Sequence, residues 1–211
     1  MITKNEGRKN KIIRHLRGGT MKVKLLNNPT LEFIDSGIGE CYDKGAYGLN
    51  DKGLDRIDRI CNQNQHSSML RFATYIFQVE LSTSALLEWT RHQVGVDYAV
   101  KSSRYCTKQD GDNLQIEYSN NELVNNMLDK HMEDIKQLIR ENRGLGNDDL
   151  KLLLPQAFIY RMQVQFNAQS LQHFIKLRSS KKAHYHIRDL AKSLFEAIPN
   201  EHKFLFEPFI S

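Results

Sequence analysis

Residues 72–81 read FATYIFQVEL and run almost directly into TSALLEWTRH at 83–92. Aromatic and β-branched residues dominate the first stretch, which predicts a largely buried strand. The second predicts a short helix with Ser82 or Thr83 as its N-cap. A strand that passes straight into a helix commits the chain to packing both kinds of element around one core. The flanking sequence extends this pattern. Residues 22–35 (VKLLNNPTLEFIDS) hold short apolar runs broken by Asn-Asn-Pro and predict two strands around a turn. Glycines and polar residues at 37–53 predict a loop leading to a helical stretch at 54–62. Leu123, Met127, Met132, Ile135, Leu138 and Ile139 recur with helical period across 121–142, and Gly144-Leu145-Gly146 stops them. Residues 148–209 read as three or four further helices, with Pro155 and Pro199 as punctuation. The expectation is an α+β fold: one helix-rich domain with a small mixed or antiparallel sheet.

With 211 residues, 40% of them hydrophobic, the chain is long enough for one domain with a substantial core and short for two. Its apolar runs are short and broken by charge, far from the roughly 20 apolar residues of a membrane-spanning helix. A soluble chain with no membrane partner is expected. Cys41, Cys61 and Cys106 form no CxxC pair and leave an odd one over, so neither a disulfide framework nor a thiolate zinc site is encoded. A reducing cytoplasm fits. Residues 1–20 carry Lys4, Arg8, Lys9, Lys11, Arg14 and Arg17 without the apolar stretch of a secretory signal. They read as a basic extension, expected to be disordered, with Met21 opening a single domain over 21–211. A net charge of +5 and a pI near 9.0 favour an anionic partner. No helix-turn-helix, zinc-finger or ribonucleoprotein aromatic signature is present, so phosphorylated small molecules are preferred to nucleic acid.

Two constellations could carry chemistry. If residues 166–178 form one helix, the 100° step per residue puts Phe166, Leu171, Phe174, Ile175 and Leu177 on a buried face. Asn167 and Arg178 then fall inside that apolar arc, while Gln169, Gln172 and Lys176 lie opposite. Eleven residues separate Asn167 from Arg178, about 16 Å of helix, too far for them to satisfy each other. A buried guanidinium needs an anion. That anion is either an internal carboxylate or part of a large anionic ligand lying in a groove along the helix. The second constellation is Arg91-His92-Gln93 at a helix end, followed by Lys101-Ser102-Ser103-Arg104-Tyr105. Two arginines, a lysine and paired hydroxyls can hold phosphate through charge-assisted hydrogen bonds. The same composition also suits a solvated surface.

The ordered set of motifs resembles the flavin-dependent thymidylate synthases (ThyX-type), whose pattern is R-H-R, seven or eight residues, then S, with R-Y closing the motif. This chain reads Arg91-His92-Gln93, eight residues, Ser102, then Arg104-Tyr105. Upstream, His66-Ser67-Ser68 resembles the family's flavin-contacting His-x-Thr/Ser element. Downstream, Asn167-Ala168-Gln169-Ser170-Leu171 and Leu177-Arg178 resemble its N-A-R-S-L…L-R helix. Residues 155–208 look most like epsilon-proteobacterial forms. The resemblance runs from about Met21 to the end.

The resemblance implies a ThyX-like fold and a homotetramer in which several subunits build each active site. FAD would lie between subunits without a Rossmann domain, in agreement with the absence of a strand-loop-helix G-x-G-x-x-G. It implies FAD contacts from His66, Ser68, Arg91, His92, Gln93, Asn167 and His173, with Cys41 at the position of another. Deoxyuridine monophosphate (dUMP) would be held by Glu88, Ser102, Arg104, Lys151 and Arg178. The implied reaction passes a one-carbon unit from methylenetetrahydrofolate to C5 of the uracil and reduces it to methyl with hydride from flavin, itself reduced by NADPH. Arg178 would stabilise negative charge on the base, and Ser102 would orient the nucleotide, with no adjacent base to make it a nucleophile.

Three departures fall on the flavin side. Gln93 replaces an arginine, Arg71 stands where the family often has Glu, and the spacer 94–101 lacks the usual serine. They leave open an alternative, a diverged paralogue that binds a pyrimidine nucleotide without turnover or transfers a different one-carbon group. A lone Cys106 is read as an inert thiol rather than a nucleophile. His184 and His186, two apart on a helix, would point about 200° from each other, so no metal site is expected.

Overall fold

The computed structural model describes residues 22–27, 29–64, 66–142 and 144–211. The expected extension at 1–20 and the domain start at Met21 lie outside the described residues. In chain order the elements are β1 (Val23–Leu25), α1 (Glu32–Tyr42), α2 (Asp51–Ile57), β2 (Thr74–Ser82), α3 (Thr83–Trp89), β3 (Val96–Val100), α4 (Ser103–Asp110), α5 (Glu122–Glu141), α6 (Asn147–Leu150), β4 (Ile159–Asn167), α7 (Ala168–Arg178) and α8 (Tyr185–Ala197). A π-helical turn at Asp58–Gln63 and a 3-10 turn at Ser67–Phe72 fill the space between α2 and β2. The strands form one four-stranded sheet in the order β1-β2-β4-β3. Strand β1 pairs antiparallel with β2, Val23 opposite Val79 and Leu25 opposite Phe77. The helix-rich α+β architecture is the one the sequence predicts.

The chain divides into two compact units. One comprises Glu80–Leu87 and Val100–Arg161. Its core is Leu114, Ile116, Met132, Ile135 and Phe158. Asn121 caps α5 by accepting from the backbone N–H groups of Leu123 and Val124 at 3.0 and 3.3 Å, so the predicted helix at 121–142 starts where its cap allows. The predicted face is only half right. Met132 and Ile135 are buried, whereas Leu123 and Met127 are each 76% exposed and form a separate apolar patch at the start of α5.

The other unit comprises Glu88–Ala99, Met162–Ser211 and the described residues of 22–79. Its centre is aromatic: Trp89, Phe166 and Phe174 are fully buried, with the Trp89 and Phe174 rings 4.5 Å apart. Strand β2 alternates as expected, burying Tyr75, Phe77 and Val79 completely.

Three predicted elements are corrected. Residues 32–35 are helical rather than part of a second strand. Thr30 Oγ1 accepts from the Glu32 N–H at 3.2 Å, Glu32 and Asp35 favour the positive end of the helix dipole, and Leu31, Ile34 and Ile38 are buried at helical spacing. The predicted loop at 37–53 accordingly shrinks, with Gly37 and Gly39 inside α1. A Cβ on Gly37 would meet Met69 Sδ at 2.9 Å, so glycine is what lets α1 lie against the Ser67–Phe72 turn. Residues 159–167, predicted helical, form β4. Met162, Val164 and Phe166 are buried in strict alternation with exposed Arg161, Gln163 and Gln165, which is a strand period.

Candidate active site

The β4 correction changes the reading of Asn167. It lies on no helix face; it is the N-cap of α7, its Oδ1 accepting from the Ser170 N–H at 2.9 Å. Leu177, expected to be buried, is 47% exposed, and Gln172, expected on the outer face, is 6% exposed. Gln172 fills its buried position by donating to Leu205 O at 2.7 Å and Asn62 Oδ1 at 3.0 Å. Leu171, Phe174 and Ile175 are in the core as predicted.

Arg178, at the last turn of α7, keeps only 17% of its side chain exposed. Its anion is Glu88. Nη1 donates to Glu88 Oε2 at 2.8 Å and Nη2 to the Glu88 main-chain oxygen at 3.0 Å. Nε donates to His92 Nε2 at 2.9 Å. The local sequence explains this meeting. Trp89 and Phe174 pack ring to ring in the core, and the chain turns after Trp89 through a His92 N–H to Trp89 O bond of 2.8 Å. The His92 ring then lies 4.8 Å from that of Phe174. Burial lowers the His92 pKa to about 4, aided by the adjacent Arg178 charge and by His173. The imidazole is therefore neutral near pH 7. Since Nε2 accepts from a permanently charged guanidinium, the ring proton sits on Nδ1.

The residues expected to touch FAD are arranged around α7. Its first turn is tied to the Ser67–Phe72 turn by Gln169, which donates to Ser67 Oγ at 2.7 Å and accepts from Arg71 Nε at 2.7 Å. The Ala168 N–H donates to Ala73 O at 2.9 Å. These bonds bring the turn that carries His66 and Ser68 beside Asn167. The segment 93–95 is held on the same turn, because Ser170 Oγ donates to Val94 O at 2.7 Å and the Asn167 N–H to Gly95 O at 3.1 Å. His173 presents its ring 6.0 Å from that of His92. Cys41 is exposed near the end of α1, the helix that Gly37 seats against the Ser67–Phe72 turn. His66, Ser68, Arg91 and His173 all keep exposed polar side chains there. A cationic, imidazole- and hydroxyl-bearing donor set of this kind suits a diphosphate and the polar edge of a flavin ring. Gln93 is exposed and within 3.5 Å of Thr90 O.

The remaining predicted nucleotide residues belong to the unit containing Val100–Arg161. Ser102 is the exposed N-cap residue of α4, its main-chain oxygen accepting from Tyr105 and Cys106. Arg104 and Lys151 converge on one carboxylate oxygen, Asp148 Oδ1, at 3.2 and 3.0 Å. Asp148 was missed by the sequence reading. The signal for it was the Asp148–Lys151 spacing, an (i, i+3) pair. Gln169 was also missed as a cross-link.

The cysteines are free. Burial, reinforced by Asp58, pushes the Cys61 thiol up to about 12, which makes it inert. His184 is not on a helix with His186 but caps α8, and the two rings come within 5.0 Å. Among the described residues no group of three or more His, Cys, Asp or Glu could hold a metal ion, and no helix is long and apolar enough to cross a membrane.

A family model described as "Thymidylate synthase complementing protein" matches residues 34–202. A protein of Wolinella succinogenes called flavin-dependent thymidylate synthase is 34% identical over 201 residues, covering 88% of this chain and 97% of that one. The chain belongs to the flavin-dependent thymidylate synthase family. A Helicobacter pylori flavin-dependent thymidylate synthase is likewise 34% identical, over 207 residues, covering 89% of this chain and 98% of that one. A crystal structure of thymidylate synthase X from Helicobacter pylori with FAD and dUMP superposes with a TM-score of 0.82 at 30% identity, covering 90% of this chain and 99% of that chain. These relatives are epsilon-proteobacterial, as the C-terminal resemblance predicts. Within this flavin-dependent thymidylate synthase fold, one of the flavin-side departures, Arg71, donates at 2.7 Å to Gln169, which stands where the family's N-A-R-S-L motif reads Arg.

Proposed function

We propose that this chain catalyses the reductive methylation of dUMP to dTMP, with methylenetetrahydrofolate as carbon donor and FAD as the flavin, reduced by NADPH. The observation that carries the reading is the Glu88–Arg178–His92 cluster. It gathers Glu88 and His92, four residues apart across the end of α3, around the guanidinium of Arg178 at the end of α7.

Bound FAD would supply the hydride. His66, Ser68, Arg91, His92, Gln93, Asn167, His173 and Cys41 would hold it. Arg178 would stand against the uracil and stabilise the negative charge that develops as hydride arrives. Glu88 fixes two guanidinium nitrogens and neutral His92 the third, so the cation is oriented before substrate binds and needs little reorganisation during the reaction. A neutral imidazole adds no second positive charge to compete for the developing anion. Arg104 and Lys151 would bind the nucleotide phosphate and Ser102 would orient the nucleotide. Over the reaction the methylene carbon of the folate becomes the C5 methyl, tetrahydrofolate leaves, and NADPH is oxidised to NADP⁺ with uptake of one proton.

The active assembly is a cytoplasmic homotetramer in which subunits share sites. The exposed apolar patch of Leu123, Val124 and Met127 on α5 supports assembly, since such patches on soluble chains commonly mark interfaces. The predicted nucleotide residues fall in both compact units, Glu88 and Arg178 in one and Ser102, Arg104 and Lys151 in the other.

Complementation tests the reading. Expression in a bacterium that requires thymidine should restore growth without it, and Arg178→Ala should not. Failure of the wild-type chain to restore growth, when the purified protein is folded and loaded with FAD, would favour the paralogue that binds nucleotide without turnover.

A further inference from the structure

Arg104 and Lys151 are the two side chains proposed above to take the nucleotide phosphate, and both already hold an anion. A single oxygen, Asp148 Oδ1, lies 3.2 Å from Arg104 Nε and 3.0 Å from Lys151 Nζ. This arrangement is built rather than incidental to flexible side chains. Asn147, the residue before Asp148, accepts the Lys108 N–H at 2.7 Å through Oδ1 and donates to Gln109 Oε1 at 3.2 Å. Lys108 Nζ donates to Leu145 O at 3.1 Å. These bonds tie the short α6 to α4 and hold Asp148 opposite Arg104, which is on the first turn of α4. Lys151, three residues on, reaches back to the same oxygen.

The hydrogen bond from Lys151, with the Arg104 charge, holds the Asp148 carboxyl below the usual range, so it is ionised near neutral pH. The geometry is that of one anionic oxygen bridging two cations, which a phosphate oxygen reproduces. A nucleotide phosphate brings three such oxygens and a charge of about −1.5 to −2. It cannot share both cations with Asp148 without like-charge repulsion.

We propose that Asp148 is a positioning residue that stands in for the nucleotide phosphate, holding Arg104 and Lys151 together in the free protein and yielding them when the phosphate enters. This rests on the proposed dUMP site. The exchange has a predictable sign. Both pairs are well exposed, with side-chain exposures of 62% and 55% for Arg104 and Asp148 and 38% for Lys151. Each is therefore worth no more than about a fivefold change in an equilibrium. Losing them on binding weakens nucleotide affinity modestly, and removing the carboxylate charge restores it.

The test is equilibrium binding of dUMP, deoxyuridine and inorganic phosphate to the FAD-loaded protein, comparing wild type with Asp148→Asn and Asp148→Glu. Asp148→Asn should tighten dUMP by about three- to tenfold, in line with two exposed pairs. It should tighten inorganic phosphate in parallel and leave deoxyuridine unchanged. Asp148→Glu, which keeps the anion, should keep the weaker affinity. A merely structural role would move deoxyuridine and dUMP together, and that result overturns the proposal, as does a dUMP affinity that is unchanged or weaker in Asp148→Asn. If the wild-type protein binds no dUMP, the nucleotide assignment itself fails. Tighter binding of inorganic phosphate by Asp148→Asn then still supports the stand-in role, and its absence still refutes it.

Discussion

Arg178 grips Glu88 twice, through the carboxylate at 2.8 Å and the main-chain oxygen at 3.0 Å, and turns its remaining nitrogen to His92. A guanidinium held this way is charge-balanced yet still an electrostatic element aimed at one place. Arg178→Ala should lower turnover by at least about a hundredfold, the scale on which a preorganised stabilising donor acts. FAD binding should persist, and thermal unfolding should shift by only a few degrees. Steady-state kinetics with a melting curve on the same preparation separates these effects. Retained turnover would refute the role given to Arg178.

The neutral state of His92 sets a pH dependence. The folded ring titrates near 4, whereas an unfolded histidine takes its proton near 6.5. Between those values the unfolded chain binds more protons, so stability falls as pH drops from about 6.5 toward 4, and His92 contributes no slope above that window. His202, buried against the Tyr75 hydroxyl at 3.0 Å and with its pKa lowered by that burial, acts in the same direction. Urea midpoints at pH 7.5, 6.0 and 5.0 should converge between wild type and His92→Asn as the pH falls. A constant difference would rule out titration of His92 as the cause.

A buried pair organises the loop after α1. Asp35 and Arg56 are ion-paired with side-chain exposures of 0% and 6%. Asp35 Oδ2 also accepts the Tyr47 and Gly48 N–H groups at 2.7 and 2.9 Å, and Arg56 lies 3.8 Å over the Tyr47 ring. Arg56→Met leaves a buried carboxylate without its cation and should cost about 3–5 kcal/mol. The double variant Asp35→Leu/Arg56→Met should recover part of that loss. Chemical denaturation of Arg56→Met, Asp35→Leu and the double variant gives the comparison, and additive losses would contradict it.

Gly95 has φ of +67°, and a Cβ there would overlap Asn167 Nδ2 and Ser170 Oγ and approach Asn167 Cγ to 2.9 Å. Gly95→Ala should therefore destabilise by more than about 1 kcal/mol and, by displacing the cap of α7, weaken FAD binding. Flavin fluorescence titration alongside denaturation reads both. A variant with wild-type FAD affinity would dissociate the α7 cap from the flavin site.

What the sequence disclosed follows its physics. Strand β2 and helix α5 were legible because alternation and an Asn cap are local signals. Strand β4 was hidden despite the alternation of Gln163 and Gln165 with buried residues, because it runs without a break into α7, whose N-cap, Asn167, is the last residue of the strand. Treating Phe166 and Asn167 as helical then misplaced the cap. The motif residues were found by their order along the chain. Their partners were not, since nothing local announces that Glu88 would meet Arg178 ninety positions later, or that Gln169 would join Ser67 to Arg71. Asp148 is the exception that its spacing from Lys151 could have revealed.

The most direct measurement is product formation by the purified protein with FAD, NADPH, methylenetetrahydrofolate and dUMP. The account predicts one dTMP for each NADPH oxidised and none when dUMP, folate or FAD is omitted. FAD and dUMP binding without any dTMP would contradict it.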